Sequence, residues 1–180
     1  ALPIYKTCKK TVTTTTTNYT IDFFHGPNKT CSQEVVPLTS NKSKLLNAIS
    51  TLYPAGNTHI VLGASWAWRM LSPRWRGQWG GEMNSQQLPL DYDAPLMNKA
   101  MILMTDGDNT ISNSVHGAYW YLSDGKLGTT NSSAAVTQLD NRLQSVCTSM
   151  KSHNVNIYTI ALGTDITSKA KTILKNYAPH

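Results

Sequence analysis

Residues 99–110, KAMILMTDGDNT, carry five apolar residues, Ala100 to Met104, straight into Thr105, Asp106, Gly107, Asp108, Asn109 and Thr110. Two carboxylates among hydroxyls and an amide are the donor set that a hard cation such as Mg²⁺ or Mn²⁺ prefers. A carboxylate placed just beyond an apolar run must be solvated, paired or bound to a cation. Gly107 lets the chain turn away sharply. The alternative is a carboxylate that accepts hydrogen bonds from loop amides and fixes the turn without any ion.

Other chemistries fail on inspection. A helix-loop-helix calcium site would start well at Asp106 and Asp108, but Ile111 stands where glycine is needed and Gly117 where the terminal glutamate is needed. The chain has no G-x-x-x-x-G-K-[ST] phosphate loop, no G-x-G-x-x-G turn and no G-x-S-x-G nucleophile elbow. His25, His59, His116, His153 and His180 are isolated, with no triad partner in sequence. Cys8, Cys31 and Cys147 fit no zinc spacing. Cys8 and Cys31 flank a segment that can double back, which suits a disulfide; Cys147 falls on the apolar side of a predicted helix and reads as a buried thiol.

The elements that must position the oxygen cluster follow from periodicity. Residues 99–105 read as a strand apolar on both faces, as in a parallel sheet. VNIYTIALG at 155–163 reads as a second such strand, and EVVPLTS at 34–40 as a short one. Helices are predicted after a cap at Ser40 or Asn41, with Leu45, Leu46, Ile49, Leu52 and Tyr53 at helical spacing. A second begins near 57, with Leu62, Trp66 and Met70 as its stripe, and Pro73 stops it. A third carries Leu139, Leu143, Val146, Cys147 and Met150, and a fourth spans about 168–177. Helix and strand alternate, which defines an α/β domain with a parallel sheet.

Residues 1–37 read as an extended or β segment rich in threonine, and 38–180 as the core of one domain with long loops at 74–98 and 107–136. At 180 residues one compact domain can enclose a real core. The net charge of +6 would suit a polyanion, but the lysines and arginines are scattered, as at Lys6, Arg69 and Lys171, and form no dense basic run. No apolar run approaches the ~18 residues of a membrane span. Trp68, Trp75 and Trp79 lie off the helical stripe or in a loop, and are candidate anchors for a partner; packing of the long loops onto the domain is the other reading.

Three stretches together resemble one family. ILMTDGDNT at 102–110 is similar to the fourth-strand motif of von Willebrand factor A domains, AGNTHI at 55–60 to their threonine loop, and YTIALG at 158–163 to the following strand. Residues 35–73, VVPLTSNKSKLLNAISTLYPAGNTHIVLGASWAWRMLSP, resemble the TadG-like proteins of Tad-type pilus assembly that carry such a domain. The resemblance runs from about residue 31 to 177. It implies a Rossmann-like, three-layer α/β domain with a parallel central sheet, engaged in protein–protein contact or adhesion without catalysis. It further implies a metal-ion-dependent adhesion site, with Thr58 and Asp106 as ligands and Asp108 behind them, completed by an acidic group of the partner. Family members sit in the periplasm or at the cell surface on an N-terminal membrane anchor.

One signature is missing. No D-x-S-x-S occurs anywhere in residues 1–180, so the first strand and helix of the family pattern are not in this sequence. Three oxygen ligands are lost with them, and the expected affinity of this chain for Mg²⁺ or Mn²⁺ is weak or nil. Loss of a central strand also predicts an uncovered edge on the 99–105 strand, through which the Thr-rich segment or a second copy would pair. The alternatives are a metal-dependent hydrolase built on Asp106 and Asp108, and a basic polyanion-binding module.

Overall fold

The computed structural model describes residues 33–163 and 167–177. The Thr-rich segment, Cys8 and Cys31 lie outside them. The described chain is an α/β fold in which two parallel strands, β1 (Lys99–Thr105) and β2 (Val155–Ala161), form the sheet, in register from Lys99 opposite Val155 to Thr105 opposite Ala161. The helices are α1 (Lys42–Ser50), α2 (Ile60–Leu71), the single turn α3 (Gly81–Ser85), α4 (Ser132–Ser152) and α5 (Ser168–Tyr177).

The core lies on one side of the sheet. β1 turns Met101 and Leu103 inward and β2 turns Val155 and Ile157 the same way. Against them pack Val61 and Ala64 of α2, Leu139, Leu143, Cys147 and Met150 of α4, and Leu174 of α5. The α4 stripe recurs at four, four and three residues, the spacing of one helical face. Asn41 caps α1 and Asn131 caps α4, each accepting from a backbone N–H three residues on. Cys147 is a free thiol inside this core, and burial pushes its pKa up to about 11.

Several expectations need correction. The described residues form two layers, not three, because α2, α4 and α5 share one face of the sheet. The 99–105 strand is apolar on both faces, but Ile102 and Met104 on the outer face are exposed. The stripe of α1 is exposed as well, and α1 ends at Ser50, before Leu52 and Tyr53. Residues 34–40 pair with no strand among the described residues; Val35 and Leu38 instead pack on a small second cluster of Met70, Trp79 and Met83.

That cluster also corrects the reading of α2. The helix is apolar nearly all round because it serves two cores. Val61, Ala64, Trp68 and Leu71 face the main one, Trp66 and Met70 face the small one, and Leu62 is exposed. The 74–98 segment is therefore not a loose polar insertion. It contributes Trp79 and Met83 to a core of its own and is closed on itself by Arg76, whose guanidinium pairs with Asp91 at 2.7 Å.

Candidate functional site

The carboxyl end of β1 is where an open parallel sheet binds ligands, and the predicted oxygen cluster sits there. Thr105 Oγ1 donates to the Gly107 carbonyl at 3.1 Å and accepts from the Gly107 N–H at 3.3 Å, which closes the turn. The threonine loop then joins the strand end. The Thr58 N–H donates to Thr110 Oγ1 at 2.7 Å, and the Thr110 N–H donates to the Thr58 carbonyl at 2.9 Å. One residue before Thr110, buried Asn109 accepts from the Ile60 N–H at 2.8 Å and donates to Asp140 of α4 at 2.8 Å. Asp140 in turn pairs with Lys169 of α5 at 2.7 Å. The 106–110 loop is thus the hub through which α2, α4 and α5 meet the end of β1.

The three predicted cation ligands fare differently. Thr58 and Asp106 are both exposed, on loops fastened to each other. Asp108 is committed elsewhere: the Thr167 hydroxyl stands 2.8 and 2.9 Å from its two carboxylate oxygens, while Thr167 Oγ1 accepts from the Ala170 N–H and caps α5. Among the described residues, no three His, Cys, Asp or Glu side chains are grouped to hold a metal ion. One exposed carboxylate and one hydroxyl do not make a self-sufficient cage for a hard cation.

The expected tryptophan anchors are corrected in part. Trp79 is 5 % exposed, packed at 6.2 Å from Trp66 and 5.9 Å from Trp75. It is a core residue. Trp75 is half-buried beneath the Arg69 guanidinium, 5.4 Å from its ring. Trp68 is half-buried and its indole N–H donates to the Tyr92 hydroxyl at 2.9 Å.

Sequence reasoning passed over His59. Its ring lies under the 107–131 loop, edge-on to Tyr119 at 5.4 Å, and a Cβ at Gly117 would come within 2.6 Å of it. Arg142 of α4 stacks over the far partner, 4.9 Å from the Tyr119 ring. The His59 Nε2 atom is buried with no hydrogen-bond partner. Burial therefore holds the imidazole below the ordinary histidine pKa, with a backbone hydrogen bond to Thr110 opposing. The unfolded chain takes up a proton here as pH falls through about 6.5, before the folded chain does. Stability contributed by neutral His59 is complete above that pH and declines below it. Melting temperatures at pH 8 and pH 5 should accordingly drop further for the wild type than for His59→Phe; equal drops would show that His59 titrates alike in both states.

A groove of about 460 Å³ runs between α4 and α5 at the Asp140–Lys169 pair, lined by Asn141, Gln144, Thr172, Ile173 and Asn176 among others. No helix of the described residues is long and apolar enough to cross a membrane. A scan of protein-family models and searches of curated proteins and of solved structures found no match to this chain.

Proposed function

We propose that this chain is a non-catalytic protein-contact domain of the von Willebrand factor A type, from a TadG-like envelope protein of Tad pilus assembly. The observation that carries the reading is the clamp between Thr58 and Thr110, which sets two oxygen-rich loops side by side at the carboxyl end of a parallel strand. Thr58 and Asp106 form the exposed rim, and a pilus or envelope protein docks there. The full-length protein works outside the cytoplasm, in the periplasm or at the cell surface, on a membrane anchor. A Mg²⁺ or Mn²⁺ ion would meet only these two residues of the chain and would be bound weakly. The hydrolase alternative has less support, because Asp108 is turned to the Thr167 hydroxyl that caps α5, a structural role, and no nucleophile stands beside Asp106 in the 106–110 loop.

The test immobilises the domain and presents the pilin and envelope proteins of its own Tad system, with Mg²⁺ and with EDTA. One of them should bind, Asp106→Ala should weaken that binding about tenfold, and EDTA should matter less than the substitution. Absence of binding, or binding indifferent to Asp106→Ala, would refute the reading. Identical heats on titrating Mg²⁺ into wild type and Asp106→Ala would remove the cation alone.

A further inference from the structure

Two apolar surfaces are left uncovered among the described residues. The first is the stripe of α1, where Leu46 and Ile49, with Leu52 just past the helix, are all more than half exposed; α1 buries no residue. Its other side holds Lys44 and Asn47, so the helix is two-faced, with Lys42 at the N-terminal end of the apolar stripe. The second is the outer face of the sheet. Ile102 is 67 % exposed and Met104 59 %, with Tyr158 of β2 alongside at 50 %. Ala100, Asn156 and Ile160 complete that face, and none of these residues is charged.

A helix stripe and a sheet face each need an element to lie against, and a helix laid on a sheet satisfies both. We propose that two copies of this chain associate, with α1 of each laid on the outer sheet face of the other. The two surfaces are complementary in kind and belong to one chain; in the reciprocal arrangement proposed, each copy gives its helix and receives its partner's, which closes as a two-fold dimer and leaves no free surface for further copies. Within one copy α1 does not cover the sheet, although only residues 51–59 separate it from α2. The sheet face brings no charge to the contact, and the one charge on the α1 stripe, Lys42, stands at the end of the helix, where its long side chain keeps the ammonium at the wet rim. The six side chains named would remove on the order of 1,200 Å² of apolar surface over the two reciprocal contacts, the lower bound for specific interfaces, before any backbone or rim contribution. Exposed apolar surfaces of this extent mark interaction sites. The proposal does not depend on the rim at Thr58 and Asp106, and either can fail without the other.

Sedimentation of the chain from about 1 to about 200 μM should show a monomer–dimer equilibrium. Ile49→Glu and Ile102→Lys should each weaken it about tenfold or more, since each removes a buried aliphatic side chain from the contact. Both positions are exposed in the single copy, so circular dichroism should show both variants folded with unchanged melting in dilute solution. Mixing the two variants should restore association, because one helix–sheet contact is then native and the other sets Glu against Lys. A monomer at all concentrations would overturn the proposal. So would a dimer indifferent to Ile49→Glu, which means sheet-to-sheet or edge pairing, or a monomer destabilised by Ile49→Glu, which means α1 closes on its own sheet.

Discussion

Replacing Asn109 by alanine should destabilise the fold by about 2–4 kcal/mol, measured by chemical denaturation. Asn109 is 3 % exposed and serves two helices at once. Its carbonyl oxygen accepts from the Ile60 N–H, the first amide of α2. His59, the residue preceding that helix, makes no side-chain cap of its own, so Asn109 acts as a cap from a distant loop. Its amide donates to Asp140, which is mostly buried and also pairs with Lys169, so the substitution takes one charge-assisted hydrogen bond from that carboxylate. Each orphaned group costs about 1–3 kcal/mol, and relaxation of the loop recovers some of it. Asn109→Asp separates the two roles. It keeps an acceptor at the positive end of α2 but faces Asp140 with a second carboxylate in place of the donor, so it should retain the cap and lose the bond to α4. An alanine variant within about 0.5 kcal/mol of wild type would mean that the loop is not the hub of the three helices. Because the same loop holds Thr110 against Thr58, loosening it would also open the rim.

The elements legible in the sequence were those whose apolar pattern meets a core. The α4 stripe from Leu139 to Met150 appears in the structure as the periodicity predicts and α5 spans 168–177 as read, whereas the strand read as buried over 155–163 is present as Val155–Ala161 with only Val155 and Ile157 buried and Tyr158 and Ile160 exposed. Periodicity reports which side of an element seeks cover, not whether cover exists. Leu46 and Ile49 of α1, and Ile102 and Met104 of β1, show the difference: their pattern is that of buried residues and their environment is solvent. For α2 the error was in direction. A single stripe was read where the helix is apolar toward two cores at once, so Val61 and Ala64 were missed and Leu62 was overvalued. Trp79 could not be placed because its burial comes from contacts with Trp66 and Trp75, distant in pattern if near in sequence. At the site, the pairing of the Thr58 loop with the 106–110 loop came from the resemblance, whereas the Asn109–Asp140 bond had only a faint signal, a lone acid beside Leu139 in an apolar stripe.

Lys99→Met should cost a comparable amount, about 2–4 kcal/mol, at the opposite end of β1. Lys99 opens the strand on its buried face and is 5 % exposed, an uncommon place for a lysine. Its ammonium donates to the carbonyl of Leu71 at 2.6 Å and to that of Leu90, and sits 4.4 Å from the centre of the Tyr92 ring. Leu71 ends α2, so the charge meets the negative end of a helix and satisfies one of its orphan carbonyls. Leu90 and Tyr92 belong to the 74–98 segment. One side chain thereby fastens β1, α2 and that segment together. Burial, and after it the nearby Arg76, lowers the lysine pKa, with Asp91 opposing, which marks the group as partly desolvated and its hydrogen bonds as costly to lose. Methionine keeps the length and the apolar stem but donates to nothing, so the two carbonyls lose their partner while packing is preserved. The Trp68 indole, bonded to the Tyr92 hydroxyl, provides a local readout: its fluorescence should shift in the folded variant as the segment loosens. A Lys99→Met protein as stable as wild type, with unaltered tryptophan emission, would show that water reaches both carbonyls and that the small core of Met70, Trp79 and Met83 holds the segment without the lysine.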